Sequence, residues 1–167
     1  MRPLPDRVVR DGSTAGAVVA VLVLLGAPVG LLWSALAPRL RVELTASGPT
    51  SGNIEGKAFI GADATFIVVV LLVGVLCGVL AWLLARRSGP ATVVALVLGG
   101  LLAAKVAAVV GVRPGATHVR ELLRDATARG PLELYLRLRA PWEIVFWPVG
   151  ALAGFLGLAL ARPDELG

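Results

Sequence analysis

The chain has 167 residues, 57% of them hydrophobic and only 16% charged, against roughly 25% charged in an ordinary soluble domain. Too few charges remain to solvate a globule of this size, so lipid must be the solvent for much of the chain. The net charge of +5 is carried almost wholly by arginine, which suits lipid phosphates at loop edges rather than nucleic acid, and the lone Cys77 excludes an intrachain disulfide or a cysteine-based metal site.

Residues 1–12 are short and basic, with Arg2, Arg7 and Arg10. Ser13 and Thr14 are placed to cap the helix that follows. The first apolar run, 15–37, carries Gly26, Pro28 and Gly30 at its middle. Proline removes a backbone donor there, so a kink is expected. Trp33, near the end of the run, suits an interfacial anchor. The basic start and Ala35-Leu36-Ala37 imitate a cleaved signal. The run is longer than the usual apolar core of about 7–15 residues, however, and Pro38 falls where the new N-terminus would lie. The reading adopted is a retained helix.

Residues 38–63 are polar. Alternation over 41–45, and more loosely over 57–60, flanks a turn-forming stretch at 46–53, which predicts a β-hairpin with a long loop. Asp63 is placed to cap the second span. Two apolar runs follow, 64–85 and 91–112, joined only by Arg86-Arg87-Ser88-Gly89-Pro90. Each has about the 20 residues needed to cross a bilayer core. They are expected to fold back to back as a membrane hairpin with one buried cation. That cation is Lys105, the only charged side chain in the interior of any apolar run.

In the second polar segment, 113–141, Arg113-Pro114-Gly115 is expected to end the third span. Thr117 would cap a short helix reaching Arg129, with Val119, Leu122 and Leu123 on one face. Residues 132–139 alternate apolar and polar, the clearest strand pattern in the chain. The fourth apolar run is 142–161, with a Trp142/Trp147 belt at its start, followed by a polar tail.

These elements predict a single membrane domain over 1–167, an all-helical bundle of four spans (15–37, 64–85, 91–112 and 142–161). The two long loops, 38–63 and 113–141, would form a small α+β extracytoplasmic cap. Four spans put both termini on one side. A raw count of Lys and Arg gives six on the terminal side and nine in the two long loops, favouring termini outside under the positive-inside rule. The three arginines leading into the first helix and the Arg86-Arg87 turn argue the other way. Cytoplasmic termini are the orientation adopted.

The layout resembles a family of actinobacterial four-span membrane proteins catalogued only as a domain of unknown function. The resemblance is carried by Trp33 to Pro38, by Gly61-Ala62-Asp63-Ala64-Thr65-Phe66, and by Arg87-Ser88-Gly89-Pro90 with Val93-Val94-Ala95-Leu96 and Leu98-Gly99. The tail Arg162-Pro163-Asp164-Glu165-Leu166-Gly167 adds to it. It implies a multi-pass protein of the bacterial cytoplasmic (inner) membrane and no particular activity, cofactor or functional residue.

Lys105 is the first candidate for chemistry. With the termini inside, it lies about 10 Å below the outer end of its span, within snorkelling reach. It is either a snorkelled structural lysine or an intramembrane cation that binds an anion or gates a path. Asp63 and Glu143, at the outer starts of their spans, are its candidate partners in an intramembrane charge cluster. His118 is the only histidine, so no multi-histidine metal site exists; convergence of Asp63, His118 and Glu143 would give at most a weak divalent site. No HExxH, P-loop, CxxC or G-x-S-x-G occurs. No catalytic, metal or cofactor-binding residue is therefore assigned, and the protein is read as a non-enzyme.

Gly26-x-x-x-Gly30, Gly74-x-x-x-Gly78 and Gly150-x-x-x-Gly154 match the small-residue helix-packing pattern. They serve either packing within the bundle or an outward face for a membrane-protein partner or a second copy. The arginine-rich 113–139 segment is either a solvated face or a surface for lipid headgroups or an acidic partner. The functional expectation is an accessory or scaffolding component of the membrane. The alternative is a small transporter or channel component using Lys105, which requires Lys105 to face the bundle interior.

Overall fold

The computed structural model describes residues 4–37, 40–45, 48–49, 54–85, 90–124, 131–134 and 141–162, with side chains over 12–37, 60–84, 90–113 and 142–162. Four helices dominate: α1 (Leu4–Leu36), α2 (Ile54–Ala85), α3 (Pro90–Arg124) and α4 (Phe146–Ala161), the last led in by a 3-10 turn, Pro141–Val145. Each contains a stretch long and apolar enough to cross a membrane: Gly12–Leu36, Ile60–Leu84, Pro90–Arg113 and Trp142–Ala161. Helices are the economical solution here, because lipid cannot satisfy backbone N–H and C=O groups and a helix pairs them within itself. The protein is a multi-pass membrane protein with four spans among the described residues, and large apolar side chains such as Leu24, Leu72, Leu98 and Leu160 face outward.

Several helices run past the limits expected from local signals. α1 begins at Leu4, so Ser13 and Thr14 lie inside it rather than at its start. It also continues through Pro28. α2 begins at Ile54, so residues 57–60 are helical rather than a strand, and Asp63 is interior rather than a cap. α3 passes straight through Arg113-Pro114-Gly115 to Arg124, absorbing the start of the separate helix expected there. The common cause is cooperativity: once a span is nucleated, each added residue brings one more hydrogen bond. Good helix formers such as Glu55, Lys57, Glu121 and Leu122 then extend it.

The connecting loops contribute a three-stranded sheet ordered β2 (Gly48–Pro49), β1 (Leu40–Thr45), β3 (Pro131–Leu134). β1 pairs antiparallel with β3, Leu40 opposite Leu134 and Val42 opposite Leu132. The expected partner for 41–45 was 57–60, but helix took that segment; the loop-to-loop pairing replaces it. Residues 135–139 of the expected strand and 125–129 of the expected helix lie outside the described residues. These short strands do not by themselves make a folded α+β cap.

The packing is interleaved. α1 packs mainly on α3 and α2 mainly on α4, while α3 and α4 meet to join the two pairs. Consecutive α2 and α3 barely touch, so they are not a back-to-back hairpin. Glycine explains the choice of partner. A Cβ at Gly26 would lie 2.5 Å from the Ala103 carbonyl oxygen, and one at Gly30 would collide with the backbone of Ala107. Across the other pair, Gly74 and Gly78 sit against Trp147 and Ala151, and Gly150 and Gly154 against Leu71 and Val75. All three glycine motifs are thus spent inside the bundle. In each pair the contact residues rise together in number, so the paired helices run parallel, as interleaved spans must.

Candidate functional site

A constellation of polar and aromatic groups lies at the loop end of the bundle, where α1 and α2 meet. Trp33 is fully buried. Its indole Nε1–H donates to the Ala62 carbonyl oxygen at 3.0 Å, and its ring packs edge-on against Phe66 with centroids 5.0 Å apart. Gly111 on α3 leaves the space that ring occupies, since a Cβ there would strike Trp33. Trp33 is therefore a lock inside the bundle rather than an interfacial anchor. A large aromatic with a polar handle is better placed where both can be satisfied. Trp147 is likewise fully buried, which leaves only Trp142, 58% exposed, in the expected belt. Nearby hydroxyls are engaged within their own helices, Ser34 Oγ donating to Leu31 O at 2.8 Å and Thr65 Oγ1 to Gly61 O at 2.7 Å.

The proposed charge cluster is divided by this architecture. Lys105 is exposed, on a lipid-facing stripe of α3 with Val94, Leu98, Leu102 and Val109. It makes no ion pair or hydrogen bond with a described residue. Glu143, in contrast, is 2% exposed. Gly100 packs on Pro148, and stepping five residues from each along antiparallel helices brings Lys105 and Glu143 to similar depths. The two differ in face, not in height. Asp63 is half-buried on α2, with Oδ1 buried and without a hydrogen-bond partner among the described residues. His118 is carried by α3, but its side chain lies outside the described residues. Among the described residues no group of three or more His, Cys, Asp or Glu is arranged to hold a metal ion.

Sequence reasoning missed the Trp33–Ala62–Phe66 lock. The available signal was Gly30 one turn before Trp33, with a second glycine, Gly111, on another span. Small residues beside a large one mark where an indole can turn inward.

No solved structure matches the chain. A Mycobacterium leprae (strain TN) protein, named Uncharacterized protein ML1222, is 34% identical over 106 residues, 60% of this chain and 53% of the relative. The chain thus spans about half the length of the curated relative it matches. Residues 22–128, from the middle of α1 through all of α2 and α3, match the family described as Protein of unknown function (DUF2567). That match covers well over half of the sequence, and the chain belongs to this family.

Proposed function

We propose that the protein is a non-catalytic accessory or scaffolding component of the bacterial cytoplasmic membrane, and that a partner helix bearing a carboxylate docks on α3 at Lys105. The observation that carries this is the placement of Lys105 on a lipid-facing stripe, without an ion pair to a described residue. An intramembrane lysine costs about 2.5–3.5 kcal/mol at a helix centre. A carboxylate from a neighbouring helix offsets that cost, whereas the same position gives a transport path no interior cation. The transport alternative loses its main support accordingly. The glycine motifs are used internally, which leaves outward apolar stripes such as this one as partner surfaces.

The test is affinity purification of the full chain from a gentle detergent extract, wild type beside Lys105→Met. A stoichiometric membrane partner lost in the variant supports the docking. Equal recovery with both means that Lys105 only snorkels to the interface, and a lone monomer in both counts against an accessory role.

The Mycobacterium leprae relative supports an actinobacterial setting, and the Arg-rich lead into α1 supports cytoplasmic termini. Thiol labelling of whole cells distinguishes the orientations, using Ser47→Cys and Ser88→Cys in a Cys77→Ala background. Position 47 is expected to react with an impermeant reagent and position 88 to be protected; the reverse pattern inverts the topology. On this orientation the β1–β3 pairing and the extension of α3 to Arg124 form the beginnings of an extracytoplasmic cap.

A further inference from the structure

The seam between α1 and α2 is closed at the loop end by Trp33 on Ala62 and Phe66. Toward the terminal end it opens into a cleft of about 260 Å³. Val18, Leu22 and Leu25 line one wall, Cys77 and Ala81 the other, and Leu96 of α3 the floor. The sole hydroxyl-bearing residue in the lining is Thr14, at the terminal end. Val21, Leu80 and Leu84 also line the cleft and are well exposed, so it is open sideways to lipid. Packed interiors do not leave such space unfilled without losing contacts on every wall.

We infer that this cleft holds one acyl chain of an anionic glycerophospholipid, with the phosphate at the arginine-bearing start of α1. Three features select that occupant. The lining from Thr14 to Leu25 extends about 16 Å, which is one leaflet of a roughly 30 Å hydrocarbon core. The lining is apolar from Val18 to Leu25 and from Cys77 to Leu84, with Thr14 at one end alone, which suits a polymethylene chain entering sideways from the bilayer. Charge completes the match. Arg10 and Arg7 precede Thr14 by four and seven residues in α1, and Arg86-Arg87 follow directly after the end of α2 in the sequence. Basic residues at a bilayer surface attract anionic headgroups. This inference does not depend on the proposed partner at Lys105.

The experiment uses the full chain in phosphatidylcholine vesicles doped with phosphatidylglycerol carrying a photoreactive diazirine on its acyl chain, with cross-links mapped by peptide mass spectrometry. The expected result is labelling concentrated on Val18, Leu22, Cys77 and Ala81, at least several-fold above Leu98 and Leu102 on the open stripe of α3. Arg7→Gln/Arg10→Gln is expected to reduce that labelling by about tenfold or more. Ala81→Phe, which fills the cleft, is expected to abolish it while the stripe labels as before; continued protection of the buried Ala103 and Ala107 reports that the variant is folded. Even labelling of cleft and stripe overturns the site. Equal labelling by the matched phosphatidylcholine probe overturns the headgroup assignment. Cross-links joining cleft residues to a second copy of the chain overturn the lipid in favour of a dimer.

Discussion

The α1–α3 and α2–α4 seams and the α1–α2 seam are built from the same apolar alphabet and behave in opposite ways. In the first two, glycines at four-residue spacing face alanine, glycine or backbone, and the helices approach until a single added Cβ would collide. In the third, Val18, Leu22 and Leu25 face Cys77 and Ala81 across an open cleft, and contact is made chiefly through one indole at the far end. In lipid there is no hydrophobic force to press helices together, because acyl chains solvate leucine as well as another leucine does. Close approach of backbones is then what decides pairing. Where the sequence supplies no glycine, helices part and lipid is the competitor for the surface.

Substitutions can break this contrast. The largest effect is expected from Gly30→Leu or Gly78→Leu, whose side chains must enter the backbone of Ala107 or Ala151. Overpacking costs typically about 1–3 kcal/mol and occasionally more. A four-carbon side chain against backbone belongs at the upper end, about 3 kcal/mol or outright failure to assemble, read by detergent-denaturation titration of the purified bundle. Trp33→Ala comes next. Truncating a buried tryptophan costs about 3–5 kcal/mol in a soluble core, but lipid can fill part of the gap, so about 2 kcal/mol is expected. Trp33→Phe, which sacrifices mainly the hydrogen bond to Ala62, is expected to cost about 1 kcal/mol. The smallest effect belongs to Gly157→Ala, where an added Cβ meets nothing within 4 Å; a change beyond about 0.5 kcal/mol would contradict the picture of that face as open. If Gly30→Leu is also neutral, the tight seams are not what holds the bundle.

The spans were legible from hydropathy because crossing a bilayer imposes a length and a composition on each segment separately. Trp142–Ala161 emerges over the expected interval, and the other three spans differ from expectation by a few residues. The glycine motifs were equally visible. What they could not announce was direction: a GxxxG pattern records that something comes close, not whether it is a neighbour within the chain. The side on which Lys105 lies was left open for a related reason. Its depth follows from counting residues, but its face depends on which flank of α3 meets α1 and α4, and Ala103, Ala104 and Ala107 won that contact. Local punctuation misled most at Pro114 and Asp63, since a proline-glycine pair or an aspartate ends a helix only when continuing it is dearer than stopping.

The interleaving of the pairs bears on the order of assembly. Synthesis delivers α1 first, yet its partner α3 emerges only after α2 has been inserted. α2 in turn waits for α4, the last twenty residues or so of the spanning sequence. Throughout that interval the Gly74 and Gly78 face of α2 has only lipid to meet. The bundle therefore cannot be finished hairpin by hairpin as it leaves the ribosome. Individual helices must first be stable across the membrane and then sort themselves laterally, and a chain truncated before residue 142 would carry three spans with one glycine seam closed and the other without its second half.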